Sequence, residues 1–583
     1  MAFITRNIIT FYIPSVILAF MTVASTCFIS YSYIDANTFP KWIVFAYGTC
    51  LMLIFSSIIS IISIKEKRHL KSTNLNYYSA TLIGLLIFTY LYIHSQTQED
   101  FKVFLCFCLF SLTCFYFKNY IPTLNLVAFS LIICGFVSSV FAIIQILKKE
   151  EITGCYDNVV GFTLTIVLAS LSIIHILKSK YGKNPVSRTI FKVLLIIFLI
   201  LLLASKSRTG LLSLCVGSCI LINKGFPFIH KRINVIISCV VVLIVSISVF
   251  NITKKDSTHG RWFILNTSLS LLDSPTKIVF GYGEDGFKEN YMMRQAQRLM
   301  EESVETQQRA SNIIHPLNEF LLLTIKYGII SFIISIFALL YFFKSKYYNL
   351  YSKALVISII VFSLFSYPFK YPITWIIIAM AATSYDKHKI TIAKNNRLFQ
   401  ILERIKIYGS SLILLFSCFA LLYLALDLDT NMRKWRLAYE NTILGNKVLS
   451  LKMYKEISQK VQSPEFTYNY ASYLYNIGEY ADADALLKKV TLRDYETTIL
   501  LGRIKDAICS DSEAIEQFKL AHDMCPNRFI PLFEIYKIHK RNNNKPMQKR
   551  YATLLLSKSI KIPSTQIDEI LKTIKNDQIN NYE

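Results

Sequence analysis

The sequence predicts an all-α protein: a polytopic membrane helix bundle of about 12–13 spans joined to a soluble α-helical repeat domain. Three observations carry that prediction. The 583-residue chain has a mean hydropathy of +0.42, with 53% apolar and only 17% charged residues, whereas soluble domains run nearer a quarter charged. The apolar residues gather in runs of membrane-helix length. Charge rises to ordinary density after about residue 427, where the pattern changes to paired amphipathic helices. The chain therefore divides into a membrane domain, 1–426, and a tail, 427–583.

The apolar runs fall near 8–31, 42–64, 77–94, 101–117, 122–146, 159–177, 189–205, 208–223, 233–250, 318–343, 352–367, 371–384 and 407–426. The shortest is 371–384. Met1–Asn7 carries one Arg ahead of the first run. That run exceeds a signal-peptide core and lacks a small-residue cleavage site, so it reads as a retained span.

The net charge of +25 does not indicate nucleic-acid binding. Lys and Arg sit in short loops between apolar runs rather than on one face of a soluble fold. If every run spans, the loops Lys65–Lys71, Lys178–Lys192, Lys224–Arg232, Lys344–Lys353 and Lys387–Lys406 share one side. With the N-terminus and Lys118, that side holds roughly twenty basic residues against about half a dozen opposite, which makes it cytoplasmic. The other side receives the Gln96–Asp100 loop, the Ser205–Arg208 turn, the 251–316 segment and the tail. Most of the thirteen cysteines lie inside apolar runs as small apolar residues. Cys509 and Cys525 flank a predicted helix about 18 Å long, too far apart for a disulfide, which needs Cα atoms within about 7 Å. No spacing suggests a metal site.

The 251–316 segment is too long for an idle connection and contains helix-like stretches at Arg261–Leu272 and Tyr291–Glu305. In the tail, Phe466–Ala471 and Tyr475–Ala483 resemble one tetratricopeptide unit. A second follows with Gly502, Ala514, Phe518, Ala521 and Pro526, at roughly the 34-residue period. Such a solenoid offers a concave surface for a protein partner. The alternative is a plain helical domain.

Charged residues at a membrane edge point to function, and three basic sites on the outer face stand out. Arg208, in Ser205-Lys206-Ser207-Arg208-Thr209-Gly210, opens a span whose N-terminus faces outward. Free N–H groups, a partial positive charge and a bidentate guanidinium fork together make an anion site; the alternative is a snorkelling anchor. Arg261, in His259-Gly260-Arg261, is expected at the start of a helix in the long loop, where the same argument applies. His315, in His315-Pro316-Leu317-Asn318-Glu319-Phe320, is expected at the N-cap of the next span, with Pro316 in the first turn and Asn318 about one turn on. A His at a positive helix end is held neutral and able to accept a proton. Gly281-Tyr282-Gly283-Glu284-Asp285-Gly286 spells G-x-G-x-x-G after a strand-like Ile278-Val279-Phe280. It lacks the βαβ setting and acidic partner of a dinucleotide site and reads as a tight turn.

In order, spacing and side, these residues resemble the O-antigen ligase and O-antigen polymerase superfamily, which includes bacterial protein O-oligosaccharyltransferases. The matching elements are Ser207-Arg208-Thr209, Gly260-Arg261, Pro275…Gly281-Tyr282-Gly283…Phe287 and His315…Asn318-Glu319-Phe320-Leu321. The likeness is detailed over roughly 120–384. It implies a GT-C-like bundle in a bacterial inner membrane performing inverting, metal-independent glycosyl transfer in the periplasm, with no cofactor. The donor is a glycan on undecaprenyl diphosphate. Arg208 and Arg261 would hold the diphosphate, His315 would activate or orient the acceptor hydroxyl, and Lys206, Ser207, Gly283 and Asn318 would line the substrate site. The pattern has a His directly before the Asn, a position that Leu317 fills here; His94 and His259 are further candidates for the base. The acceptor is lipid A core, a growing glycan or a protein hydroxyl, and ligation to lipid A core is the commonest outcome for the pattern. Rival classes are a transporter or flippase, for which inverted repeats and broken helices are expected, and a membrane scaffold acting through its tail.

Overall fold

The computed structural model describes residues 13–65, 102, 105, 106, 108, 121–222, 255–345, 348–383, 397–461, 463–489 and 492–579. The runs at 77–94 and 233–250, nearly all of 101–117, the loops 66–71, 96–100 and 224–232, Lys118, the 387–396 part of the last basic loop and His94 lie outside these. Among the described residues the regular elements are helices. Packing divides the chain into two compact units, Met1–Phe250 with Ile336–Val461, and Asn251–Ser335 with Gln462–Glu583.

The membrane unit contains α1 (Ile13–Cys27), α2 (Phe39–Lys65), α3 (Ile121–Leu147), α4 (Val159–Lys178), α5 (Pro185–Ala204) and α6 (Arg208–Ile222). After the long loop it resumes along α11 (Glu319–Lys344), then α12 (Leu350–Phe365), α13 (Pro372–Thr383), α14 (Arg397–Ile443) and α15 (Lys447–Ser458). Among the described residues, five helices, within α3, α4, α5, α11 and α14, have the length and apolarity to cross a membrane. Shorter apolar helices lie in α1, α2, α6, α12 and α13. Every apolar run on the described residues is thus a helix.

The most enclosed helix is α4, with Phe162, Leu164, Val167, Leu168 and Leu171 fully buried. Small residues let its neighbours approach, the usual means of packing helices in lipid. A Cβ on Gly135 of α3 would come within 2.5 Å of the Ala169 side chain, and one on Gly217 of α6 within 2.6 Å of the Ser358 hydroxyl of α12. Ser213 Oγ donates to the Ser358 carbonyl at 3.1 Å. α14 is 47 residues long, so the change in composition near 427 falls inside one continuous helix.

The second unit joins the long loop to the tail. Its loop part holds α7 (Lys255–Leu269), α8 (Pro275–Phe280), α9 (Gly286–Leu299) and α10 (Val304–Arg309), with the N-terminal half of α11. Ile278-Val279-Phe280 is therefore not strand-like: Pro275 opens a short helix, and these residues complete its last turn. The tail holds the hairpins α16 (Pro464–Ile477)/α17 (Tyr480–Lys488), α18 (Tyr495–Ala507)/α19 (Asp511–Met524) and α20 (Ile530–Arg541)/α21 (Lys545–Leu556), then α22 (Thr565–Ile579). Gly502 allows the Phe518 ring to approach; a Cβ there would sit 2.6 Å from it. Gly478 ends α16 in the left-handed conformation, φ 92°, which glycine adopts without penalty.

Loop and tail share one core. Phe287, Tyr291, Met292 and Ala296 of α9 are buried with Tyr495, Phe518, Ala521 and Met524 of the tail. The buried Gln295 amide donates to the Ser311 carbonyl at 3.0 Å and the Met524 carbonyl at 2.8 Å. Asn527 donates to the Gln308 and Ala310 carbonyls at 2.9 and 2.7 Å. One packed body cannot straddle a bilayer with its backbone polar groups unsatisfied, so loop and tail occupy the same side. That requires an even number of crossings between them; of the intervening helices, α11 and α14 are long and apolar enough to cross a membrane, and α12 and α13 are shorter apolar helices.

The Gly281–Gly283 turn closes a break in α11. Gly328 departs from helical geometry at φ 78°, ψ 176°, leaving carbonyls of the preceding turn without their usual donors. Tyr282 N–H donates to the Ile325 carbonyl at 2.8 Å and Gly283 N–H to the Lys326 carbonyl at 2.9 Å. Lys326 and Tyr327 both bond the Glu284 carboxylate. All three glycines, 281, 283 and 328, have positive φ. A Cβ on Gly328 would lie 1.8 Å from the Val279 carbonyl oxygen, so the backbone itself must move. Gly328→Ala is therefore expected to destabilise this junction by more than the roughly 1–3 kcal/mol of a strained φ alone. Protease cleavage of the loop in intact membranes measures it. Gly409→Ala, where a Cβ meets nothing within 4 Å, is the silent control.

Candidate active site

Two helix N-termini carry candidate residues, and they are built alike. In the membrane unit, Lys206 takes a left-handed conformation at φ 54° and turns the chain after α5. Ser207 then caps α6: its Oγ accepts the Gly210 N–H at 3.1 Å, and its carbonyl accepts the Leu211 N–H at 3.2 Å. Arg208 is the first helical residue. Ser207 Oγ also reaches Thr163 Oγ1 of α4 at 3.4 Å, so the turn is tied to the most buried helix. The Ser207 hydroxyl thus positions Arg208. Arg208 is half-buried and Lys206 exposed.

The same end of α4 is braced by polar contacts. Asn158 caps α4 through the Val160 N–H at 3.0 Å. Asp157 pairs with Lys370 at 2.5 Å and accepts from Tyr371 OH at 3.2 Å. The Trp42 indole donates to the Lys370 carbonyl at 3.1 Å. The fully buried Lys41 ammonium donates to the Phe28 and Cys155 carbonyls at 2.9 and 2.8 Å. These bonds tie several interhelical loops together at the end of the bundle where α6 begins. Sequence reading missed them, since Lys41 and Asp157 sit alone beside apolar runs.

In the second unit, Leu317 is left-handed at φ 56°. Asn318, not His315, caps α11: its Oδ1 accepts the Leu321 N–H at 2.9 Å and its carbonyl accepts the Leu322 N–H at 3.0 Å. Pro316 is accordingly outside the helix rather than in its first turn; the left-handed Leu317 separates them. Non-glycine residues in this region are uncommon, and strain of this kind clusters at functional sites.

His315 is held from both sides. Its Nδ1 accepts the Leu317 N–H at 3.3 Å, and its Nε2 faces Glu319 Oε2 at 3.9 Å. With Nδ1 accepting, the neutral ring carries its proton on Nε2. The outward nitrogen is then a donor, and the proton acceptor of the pair is the Glu319 carboxylate. Glu319, whose side chain is only 11% exposed, was not singled out from the sequence. Its signal was the i, i+4 spacing from His315.

Arg261 does not begin a helix, as the sequence suggested. α7 starts at Lys255, which puts Arg261 about 9 Å along the axis, beyond the first turn where the helix dipole acts. Arg261 is exposed, as is the neighbouring His259. Gly283 is exposed too, with its N–H committed to Lys326. Among the described residues no three His, Cys, Asp or Glu side chains cluster as metal ligands. A shallow groove lined by Val448, Leu451, Lys452 and Lys455 lies on α15 and contains none of the candidate residues.

Residues 193–336 match a family model described as O-antigen ligase. The match takes in Lys206, Ser207, Arg208, Arg261, Gly283, His315 and Asn318, with both capped N-termini. No curated protein matches the chain.

Proposed function

We propose, from the similarity of residues 193–336 to the O-antigen ligase family model, that this chain transfers a glycan from undecaprenyl diphosphate to an acceptor hydroxyl on lipid A core. The site faces the periplasm and the bundle sits in a bacterial inner membrane. The observation that supports this most is Arg208: a guanidinium at the first position of a capped apolar helix, inside the family match. A sugar diphosphate leaves readily once its charge is neutralised. Helix N–H groups and a bidentate fork do so at the membrane edge, where a lipid-borne substrate is presented.

In the transfer, the acceptor oxygen attacks the anomeric carbon from the face opposite the diphosphate and inverts it. The bond from the anomeric carbon to the diphosphate oxygen breaks, and undecaprenyl diphosphate departs with the bonding pair and that oxygen. Arg208 and Arg261 balance its charge. The hydroxyl proton passes to the His315–Glu319 pair, with Nε2–H orienting the acceptor and the carboxylate taking the proton. Neither step calls for a metal or cofactor. Glu319→Gln, which keeps the shape of the side chain, is expected to cut the transfer rate about 10²–10⁴-fold, the usual worth of a general base, with donor KM nearly unchanged. A rate at the wild-type level would return the proton to His315 alone.

Polymerisation of a growing glycan and O-glycosylation of protein are the alternatives within the same chemistry. Removing the gene and analysing surface glycans separates them. Loss of polymer from lipid A core selects ligation, single-repeat capping selects polymerisation, and loss of protein-linked glycan selects a protein acceptor. Glycans that stay unchanged would favour a transporter or scaffold and sink the proposal. The tail's tetratricopeptide-like hairpins then serve the loop that carries Arg261 and His315, in addition to any partner protein.

A further inference from the structure

Short loop helices normally turn their apolar residues inward, yet α8 buries none of its side chains. Phe280 is 73% exposed, and Ile278 is exposed beside it. The position of α8 explains what such a surface meets. Its C-terminal end is fastened to α11 by the Tyr282 and Gly283 hydrogen bonds to the Ile325 and Lys326 carbonyls. The Val279 carbonyl rests directly on Gly328. α11 is one of the helices long and apolar enough to cross a membrane, and most of its apolar length is not buried. Residue 325 lies about 9 Å from the start of that helix at 1.5 Å per residue. On α11, Tyr327, Ile330, Ile333 and Ile334 are exposed. Ile278 and Phe280 thus extend the apolar surface of a spanning helix onto the loop.

We propose that α8 is an interfacial helix, its Ile278 and Phe280 side chains inserted into the outer leaflet beside α11. The occupant of this face is the bilayer itself, because the face continues the exposed apolar surface of a helix long and apolar enough to cross a membrane. The Gly281–Gly283 turn and the Glu284 bonds to Lys326 and Tyr327 then act as a rigid bracket that fixes insertion depth. Building on the glycan-transfer reading, this anchor keeps the loop bearing Arg261 and His315 at headgroup level, where a lipid-linked diphosphate lies.

The test uses the full-length protein in phosphatidylethanolamine–phosphatidylglycerol vesicles, with bromine on the upper acyl chain of the lipid. Emission from Phe280→Trp is compared with that of the wild type, which already contains four tryptophans. Insertion at the usual interfacial depth of about 5–10 Å is expected to quench the added emission roughly twofold. Phe280→Asp is expected to raise protease cleavage of the loop while the spans stay inserted, and Phe280→Leu to leave it unchanged. Added emission insensitive to bromine would place residue 280 outside the bilayer, in water or against protein, and overturn the proposal. Quenching needs no glycan substrate, so it reads the anchor even if transfer proves to be the wrong reaction.

Discussion

Alanine at Arg208 is expected to stop glycan transfer while the protein accumulates in the membrane at its normal level. Arg208 is the first residue of α6, and alanine is the best helix former, so helix propensity is kept. The cap is supplied by Ser207, through the Gly210 N–H at 3.1 Å, and does not involve the guanidinium. What disappears is the fork. Charge-assisted hydrogen bonds contribute about 1.5–3 kcal/mol each, and two of them correspond to a rate loss of about 10²–10⁴-fold at 1.36 kcal/mol per decade. Arg208→Lys keeps the charge without the planar fork and should fall between. Lys206→Ala removes an exposed point charge and should cost far less. The measurement is transfer from a lipid-diphosphate donor by purified protein, normalised to protein amount. Full activity in Arg208→Ala would remove the guanidinium from the reaction.

The position of Arg208 at a helix start was legible from sequence because everything that sets it is local: an apolar run, a Ser before it and a charge at the boundary. The helices on the described residues were legible for the same reason, since hydropathy and length decide what spans a bilayer. Arg261 was misplaced because α7 begins six residues earlier in Lys255-Asp-Ser-Thr-His-Gly, a stretch without an apolar stripe to announce it. The capping role of Asn318 was hidden by Pro316, which usually signals a first turn but is here cut off from the helix by a left-handed Leu317. The G-x-G-x-x-G string was correctly a turn. What the turn closes is the Gly328 break 45 positions downstream of Gly283, and no local pattern contains that pairing. The buried face of α9 likewise has no visible partner in sequence. An amphipathic stripe states that something must cover it, never what.

That partner makes the second large effect. Truncation after Val461 is expected to abolish transfer, although every residue proposed to take part in the chemistry remains. Phe287, Tyr291 and Met292 of the loop are each at most 1% exposed, in one core with Phe518, Ala521 and Met524 of the tail. Uncovering each large side chain costs about 1.5–3 kcal/mol, so the loop loses several kcal/mol of the burial that orders it. Gln295 adds to this: without the Met524 carbonyl at 2.8 Å its amide is left short of a partner, worth about 1–3 kcal/mol if it stays buried. A single change inside the intact chain should act in the same direction with a smaller amplitude. Phe518→Ala, at about 3–5 kcal/mol for a large aromatic, should loosen the loop toward protease and lower transfer, while the membrane unit remains assembled. The sign of this effect distinguishes two roles for the tail. If the hairpins served only to recruit an acceptor protein, truncation would leave the loop resistant to protease and spare transfer to a soluble acceptor analogue. If they hold the loop, resistance and transfer fall together, and the helical tail belongs to the active site's scaffold rather than to its client.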